Sequence, residues 1–216
     1  MTHNGFVPGL YAITRADWVN EDQLATDVEQ AILGGATMIQ YRDKRSDQQQ
    51  RLVAALLLKI TCQSYGVPFI INDDVELAHE VDADGVHLGK DDVSIQTARK
   101  RLGNHALIGY SCYNKLCLAQ NAENAGADYI AFGGFYPSST KPNVVHASTE
   151  LLLQAKEVLQ LPVVAIGGIT DQNGAGLVTA GADALAVING VFGEQDILEA
   201  AKRFKQLFTA NVQRCA

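Results

Sequence analysis

Short runs of apolar, β-branched residues alternate along the whole chain with stretches whose apolar positions recur every three to four residues. The runs Leu10–Thr14, Met38–Arg42, Phe69–Asn72, Gly85–Leu88, Leu107–Ser111, Tyr129–Gly133, Val163–Ile166 and Leu185–Asn189 predict strands. Most are continuously apolar rather than alternating, as parallel strands covered on the outside by helices should be. Between them, Leu24, Val28, Ala31 and Ile32 share one helical face, and so do Leu52, Leu56 and Ile60. Leu151, Ala155, Val158 and Leu159 form another such face, and Ile197, Leu198, Ala201, Phe204 and Phe208 the last. A weak repeat marks the seams: Gly35-Ala36-Thr37, Asp82-Ala83-Asp84, Gly126-Ala127-Asp128 and Gly181-Ala182-Asp183 each stand between a helix and the next strand. Glycine there suits a left-handed helix C-cap. Strand–helix alternation over the full length predicts an α/β fold, a single-domain (β/α)8 TIM barrel over residues 1–216 with its core at about 9–209. An open doubly wound sheet competes, but no G-x-G-x-x-G follows the first strand.

Charge and composition narrow the partners. A formal net charge of −7 argues against a general nucleic-acid surface, because phosphate backbones need clustered Lys and Arg. It leaves room for one small basic pocket. No apolar run approaches the ~18–20 residues of a membrane span. Met1 to Asn20 lacks a basic stretch followed by an apolar core, so no signal peptide is expected. Cys62, Cys112, Cys117 and Cys215 match no zinc or redox spacing, which fits a reduced, cytoplasmic setting. A homo-oligomer is left open.

In a barrel of this kind, chemistry gathers where the strands end. After the second strand, Gln40, Arg42 and Lys44 lie at alternate positions of an extended segment, so their side chains can converge on a polyphosphate. With Asp43 and Arg45 beside them, a solvated charged loop is the bland alternative. The third strand runs into Asn72-Asp73-Asp74, and the fourth into His87-Leu88-Gly89-Lys90-Asp91-Asp92. Two neighbouring acidic clusters can surround magnesium, which takes one or two carboxylates plus water and phosphate oxygens. Asp74 and Asp92 also precede helical stretches and suit N-caps, so one acid from each cluster is expected at the metal. His87, inside the fourth strand, reads as a packing or hydrogen-bonding residue of the barrel interior. Ser111 ends the fifth strand, and the long loop after the sixth carries Ser138, Ser139, Thr140 and Lys141. Gly167-Gly168 after the seventh and Asn189-Gly190 after the eighth fall where such barrels bind phosphate. No Ser-His-Asp set and no zinc spacing is present.

Taken together, Gln40-x-Arg42-x-Lys44, Ile71-Asn72-Asp73, Gly85-Val86-His87-Leu88-Gly89-x-Asp91-Asp92, Ser138-x-Thr140-Lys141 and Ile166-Gly167-Gly168-Ile169 resemble the thiamine-phosphate synthase family, in the family's order, from about Leu10 to Phe208. The resemblance implies a transferase that joins 4-amino-2-methyl-5-(diphosphooxymethyl)pyrimidine to thiazole phosphate and releases diphosphate. It implies that Gln40, Tyr41, Arg42, Asp43, Lys44, Asn72, Ser111 and Lys141 hold the pyrimidine diphosphate, with Arg42, Lys44 and Lys141 catalytic. It implies that Asp73 and Asp92 bind Mg2+, and that Ser138, Ser139, Thr140, Gly168, Ile188 and Asn189 hold the thiazole phosphate. The chain departs from the family at Lys90, usually Gln, and at Asn189, often Ser or Thr.

Three other functions compete. A thiazole tautomerase on a similar barrel needs a proton shuttle after the fifth strand, where Ser111-Cys112-Tyr113 offers none. A non-catalytic sensor of phosphorylated precursors has no need of the paired acidic clusters. A generic sugar-phosphate barrel enzyme would share the glycine phosphate site alone.

Overall fold

The computed structural model describes residues 5–137 and 146–212. In chain order it runs β1 (Gly9–Ile13), α1 (Glu21–Gly34), β2 (Ala36–Tyr41), α2 (Gln48–Ser64), β3 (Phe69–Asn72), α3 (Val75–Glu80), β4 (Gly85–Leu88), α4 (Ile95–Leu102) and β5 (Leu107–Tyr113). There follow α5 (Leu116–Asn124), β6 (Tyr129–Gly133), α6 (Thr149–Val158), β7 (Val163–Ile166), α7 (Ala175–Thr179), β8 (Ala184–Val187), α8 (Asn189–Phe192) and α9 (Ile197–Val212). The strands form one closed parallel barrel in sequence order, β8 pairing back onto β1.

Closure explains the continuous apolar runs. One set of strand residues, such as Leu10, Ile39, Phe69, Val86, Ile130 and Val163, packs outward against the helices. The intervening set, including Tyr11, Met38, Ile70, Leu107, Tyr129, Val164 and Ala184, fills the barrel with Phe6. Both faces are buried along most of each strand, so few strand positions need be polar.

Some expectations change, two of them for clear physical reasons, and Val158 of the α6 face is 47% exposed. The eighth strand stops at Val187 rather than Asn189, because Val191 and Phe192 donate their N–H groups back to the Ile188 carbonyl and start α8. On α2 the buried face is Ala54, Ala55, Leu58 and Cys62, whereas Leu56 and Ile60 are 43% and 65% exposed. Apolar residues run almost around this helix, so periodicity alone did not choose its face. The small Ala and Cys side chains let its backbone approach the barrel closely.

The repeated seams form fastenings at the lower rim, away from the strand ends that carry chemistry. Asp84 accepts the Phe69 N–H at 2.9 Å and the Lys59 ammonium at 3.2 Å. Asp128 likewise takes the Ile108 N–H and Arg99, and Asp183 takes the Val163 N–H and Lys156. Thr37, at the start of β2, donates instead to the Leu10 carbonyl. Gly35, Gly126 and Gly181 have φ of 110°, 89° and 105°, and Asp82 occupies the equivalent slot at 52°. Aspartate is among the few side chains that tolerate this left-handed region.

Candidate active site

Pleating of β2 sorts its C-terminal residues. Gln40 and Arg42 line a cavity of roughly 1000 Å³, counting its open mouth, inside the strand C-terminal ends. Tyr41 is buried in the outer layer, with its hydroxyl 3.4 Å from Asp43. The Asp43 carboxylate folds back to accept from the N–H groups of Arg45 (2.8 Å) and Ser46 (3.2 Å). The side chains of Tyr41 and Asp43 thus brace the loop and do not line the cavity. Lys44 leaves that loop to reach Asp73 at 2.8 Å.

The four acids separate. Asp74 caps α3 through the Leu77 N–H (3.0 Å) and holds Arg51 at 2.8 Å. Asp91 is exposed. Ser94, not Asp92, caps α4. Asp92 instead accepts the Gly89 N–H at 2.7 Å, and its carboxylate faces that of Asp73. Asp73 has φ 65°, and its N–H bonds the His87 carbonyl at 2.8 Å, hooking the end of β3 onto β4. Burial works against charge on Asp73, but the adjacent Lys44 outweighs it and holds the carboxyl below its ordinary 3.8. For Asp92 burial and the facing Asp73 charge outweigh the Gly89 N–H and raise its pKa. The repulsion between the two carboxylates is what a cation placed between them would relieve. Two converging carboxylates are a donor set that a hard divalent cation accepts when water and phosphate supply the rest. Among the described residues no group of three or more His, Cys, Asp or Glu side chains is placed to hold a metal.

Below the mouth, polar side chains link across the barrel. Gln40 Nε2 donates to the Tyr11 hydroxyl (2.8 Å), which lies 2.8 Å from the Tyr129 hydroxyl. Tyr129 in turn is 3.1 Å from His87 Nδ1, and His87 Nε2 is 2.9 Å from Ser111 Oγ. Tyr129 crosses the wall at Gly109, where an added Cβ would lie 2.0 Å from its Cζ. Asn72 and Ser111 also line the cavity, together with Tyr113 and Tyr136. Tyr113 sits at φ 55° beside a register shift between β5 and β6.

A second cavity of about 610 Å³, counting its open mouth, lies between the loop Gly167–Thr170 and the residues Val187–Gly190. Its residues include Gly168, Ile188 and Asn189, and it shares Ile166, Gly167, Ala186 and Ile188 with the first. Gly168 has φ 62°, and a Cβ there would meet the Pro137 carbonyl at 2.3 Å, so only glycine fits. Asn173 pins the loop, accepting the Thr170 N–H at 2.8 Å and donating to the Gly168 carbonyl at 3.1 Å. Ser138, Ser139, Thr140 and Lys141 lie outside the described residues.

Sequence reasoning did not single out Tyr11, Tyr129, Tyr113 or Tyr136. The first two sit inside apolar strands and look like core. The inward register of Tyr11, one residue from Leu10 and Ala12, was the available signal.

The family model for thiamine monophosphate synthase matches residues 10–191. The thiamine-phosphate synthase of Marinobacter nauticus is 52% identical over 93% of this chain and 91% of its own. That of Thiobacillus denitrificans is 49% identical over 95% and 97%. Among solved structures, the thiamine phosphate pyrophosphorylase of Pyrococcus furiosus superposes with a TM-score of 0.83 at 32% identity, covering 97% of this chain and 98% of that one. With two joined cavities at the mouth of a (β/α)8 barrel and relatives of this extent, the chain belongs to the thiamine-phosphate synthase family.

Proposed function

We propose that this transferase joins 4-amino-2-methyl-5-(diphosphooxymethyl)pyrimidine to thiazole phosphate, giving thiamine phosphate and diphosphate. The observation that carries the reading is the shared wall of the two cavities. Ile166, Gly167, Ala186 and Ile188 bound both, so two ligands seated there are neighbours, as bond formation between them requires. The glycine-built second cavity suits the thiazole phosphate, near Gly168, Ile188 and Asn189. The first suits the pyrimidine, with Gln40, Asn72 and Ser111 around the ring and Arg42 toward the diphosphate.

The chemistry follows from charge. The C–O bond to diphosphate breaks as the ring amino group releases electrons toward the methylene carbon, and the thiazole nitrogen then bonds to that carbon. Negative charge grows on the leaving diphosphate, and Arg42, Lys44 and Lys141 are the side chains of this chain suited to meet it. Asp73 and Asp92 would hold Mg2+, which when bound supplies further positive charge to the phosphate oxygens. Lys44 then exchanges its ion pair with Asp73 for one with phosphate. No protein nucleophile takes part. A cytoplasmic enzyme fits this reading: Cys62, Cys112 and Cys117 are free thiols, and burial pushes Cys62 and Cys112 up to about 12, where they stay unreactive. Among the described residues no helix is long and apolar enough to cross a membrane.

The direct test mixes the purified protein with both substrates and Mg2+ and follows thiamine phosphate and diphosphate. Equal amounts of both products are expected. Absence of both would reject the reading.

A further inference from the structure

Five linked polar side chains span the barrel beneath the first cavity, from Gln40 on β2 to Ser111 on β5, through Tyr11, Tyr129 and His87. A barrel interior built only for stability would be filled with branched aliphatics. Here Tyr11 is 1% exposed, Tyr129 0%, Gln40 2% and His87 9%, so the two phenol hydroxyls and the imidazole between the chain's ends must be satisfied from within.

From these contacts we propose that His87, Tyr129 and Tyr11 are positioning residues: they form one directional hydrogen-bond relay that sets which way Gln40 and Ser111 present donors and acceptors to the pyrimidine. The inference rests on the substrate reading given above, and it deepens it.

The direction is read link by link. Gln40 Nε2 donates to the Tyr11 oxygen. The Tyr11 proton then points at the Tyr129 oxygen, 2.8 Å away. The Tyr129 proton is left to bond His87 Nδ1, which must be unprotonated to accept it. His87 therefore carries its proton on Nε2 and donates to Ser111 Oγ. At the two ends, the Gln40 Oε1 acceptor and the Ser111 O–H donor remain for the ligand. An aminopyrimidine offers the matching pair, an exocyclic N–H donor and ring-nitrogen acceptors. A Gln40 acceptor on that amino group also favours its release of electrons. Burial raises the pKa of both phenols, so both keep the protons the relay needs. Reversing any one link reverses all of them, and Ser111 would then donate to His87 rather than to the substrate.

The test pairs a spectroscopic signature with kinetics on the full-length enzyme. Nitrogen NMR of 15N-histidine-labelled protein, assigned by comparison with His87→Gln, is expected to show His87 protonated on Nε2 and bare on Nδ1. Tyr129→Phe removes one oxygen and keeps the ring. It should mix the two tautomers and lower kcat/KM for the pyrimidine diphosphate by about 10- to 100-fold, the weight of one to two misdirected hydrogen bonds. KM for the thiazole phosphate should stay within about twofold. Tyr11→Phe should act alike. The double variant should cost no more than the worse single one, because a broken chain cannot be broken twice, whereas independent packing roles would add. Protonation on Nδ1 in the wild type, or additive losses with an unmoved tautomer, would overturn the relay. Should Tyr129→Phe fail to fold, the wild-type tautomer and Tyr11→Phe still decide. Should the wild type turn over neither substrate, the substrate reading falls while the tautomer measurement stands.

Discussion

Substituting Gly109 by alanine probes the tightest contact beneath the pocket. The new Cβ would lie 2.0 Å from Tyr129 Cζ and 2.4 Å from both Cε2 and the hydroxyl, where ordinary contact begins at 3.4 Å. The ring must therefore retreat by about 1.4 Å in an interior packed as densely as an organic crystal. It has little room. Its neighbours Phe6 and His87 have ring centroids only 5.4 and 5.6 Å away, and Tyr129 is fully buried. Overpacking of this kind costs about 1–3 kcal/mol. Pulling the hydroxyl from Tyr11 and His87 adds about 1–3 kcal/mol for polar atoms left without partners. A total of roughly 2–6 kcal/mol lowers the melting temperature of a domain this size by roughly 4–24 °C. Circular dichroism melts measure it directly, with Tyr129→Phe as the comparison that loses the hydrogen bonds without the clash. A Gly109→Ala protein that melts within about 2 °C of wild type would show that the ring is not wedged against the strand, and the reasoning would fail.

Asp128→Ala should destabilise by about 1–3 kcal/mol, since it leaves the buried Ile108 N–H without its acceptor while Arg99 keeps the Gly103, Ala106 and Gly126 carbonyls, yet leave kcat/KM unchanged well below the melting point. Urea titrations and steady-state rates would separate the two effects. Asp92→Ala should lower turnover at saturating Mg2+ by about 10²–10³-fold while melting shifts by only a few degrees; full turnover with unaltered Mg2+ dependence would assign the metal to another carboxylate. Asp43 has a pKa lowered from 3.8, because hydrogen bonds from Ser46 and Arg45 outweigh the opposing effect of burial. Its contribution is present above 3.8 and is lost as pH falls through the lower folded value, so wild-type stability should decline more steeply below pH 4 than that of Asp43→Asn, measured by denaturant melts across that range.

The barrel was legible because its strands are dry on both sides, which writes them as unbroken apolar runs at regular spacing. The face of α2 was not, because Leu52, Leu56 and Ile60 form as good a stripe as Ala54, Leu58 and Cys62, and only contact with the barrel decides between them. The end of β8 was misplaced because Ile188 continues the apolar run while the backbone has already begun to coil. The mouth was legible through charge: Arg42 and Asn72 line the cavity, and Lys44, Asp73 and Asp92 meet beside it. The choice of Asp73 over Asp74 was not, for both are carboxylates and only the cap and Arg51 tell them apart. The floor was least visible of all. Tyr11 and Tyr129 are separated by 118 residues, and each alone is a plausible core aromatic. Their partnership exists only once the barrel closes.

The lower-rim fastenings have a consequence for how the molecule assembles. Lys59 and Asp84 are 25 positions apart, Arg99 and Asp128 29, and Lys156 and Asp183 27. Each therefore closes within its own stretch of polypeptide, at a small loop-closure cost, before distant parts have to meet. The seams β3–β4, β5–β6 and β7–β8 are thus local in sequence. Only the final seam between β8 and β1 must wait for nearly the whole chain to be made.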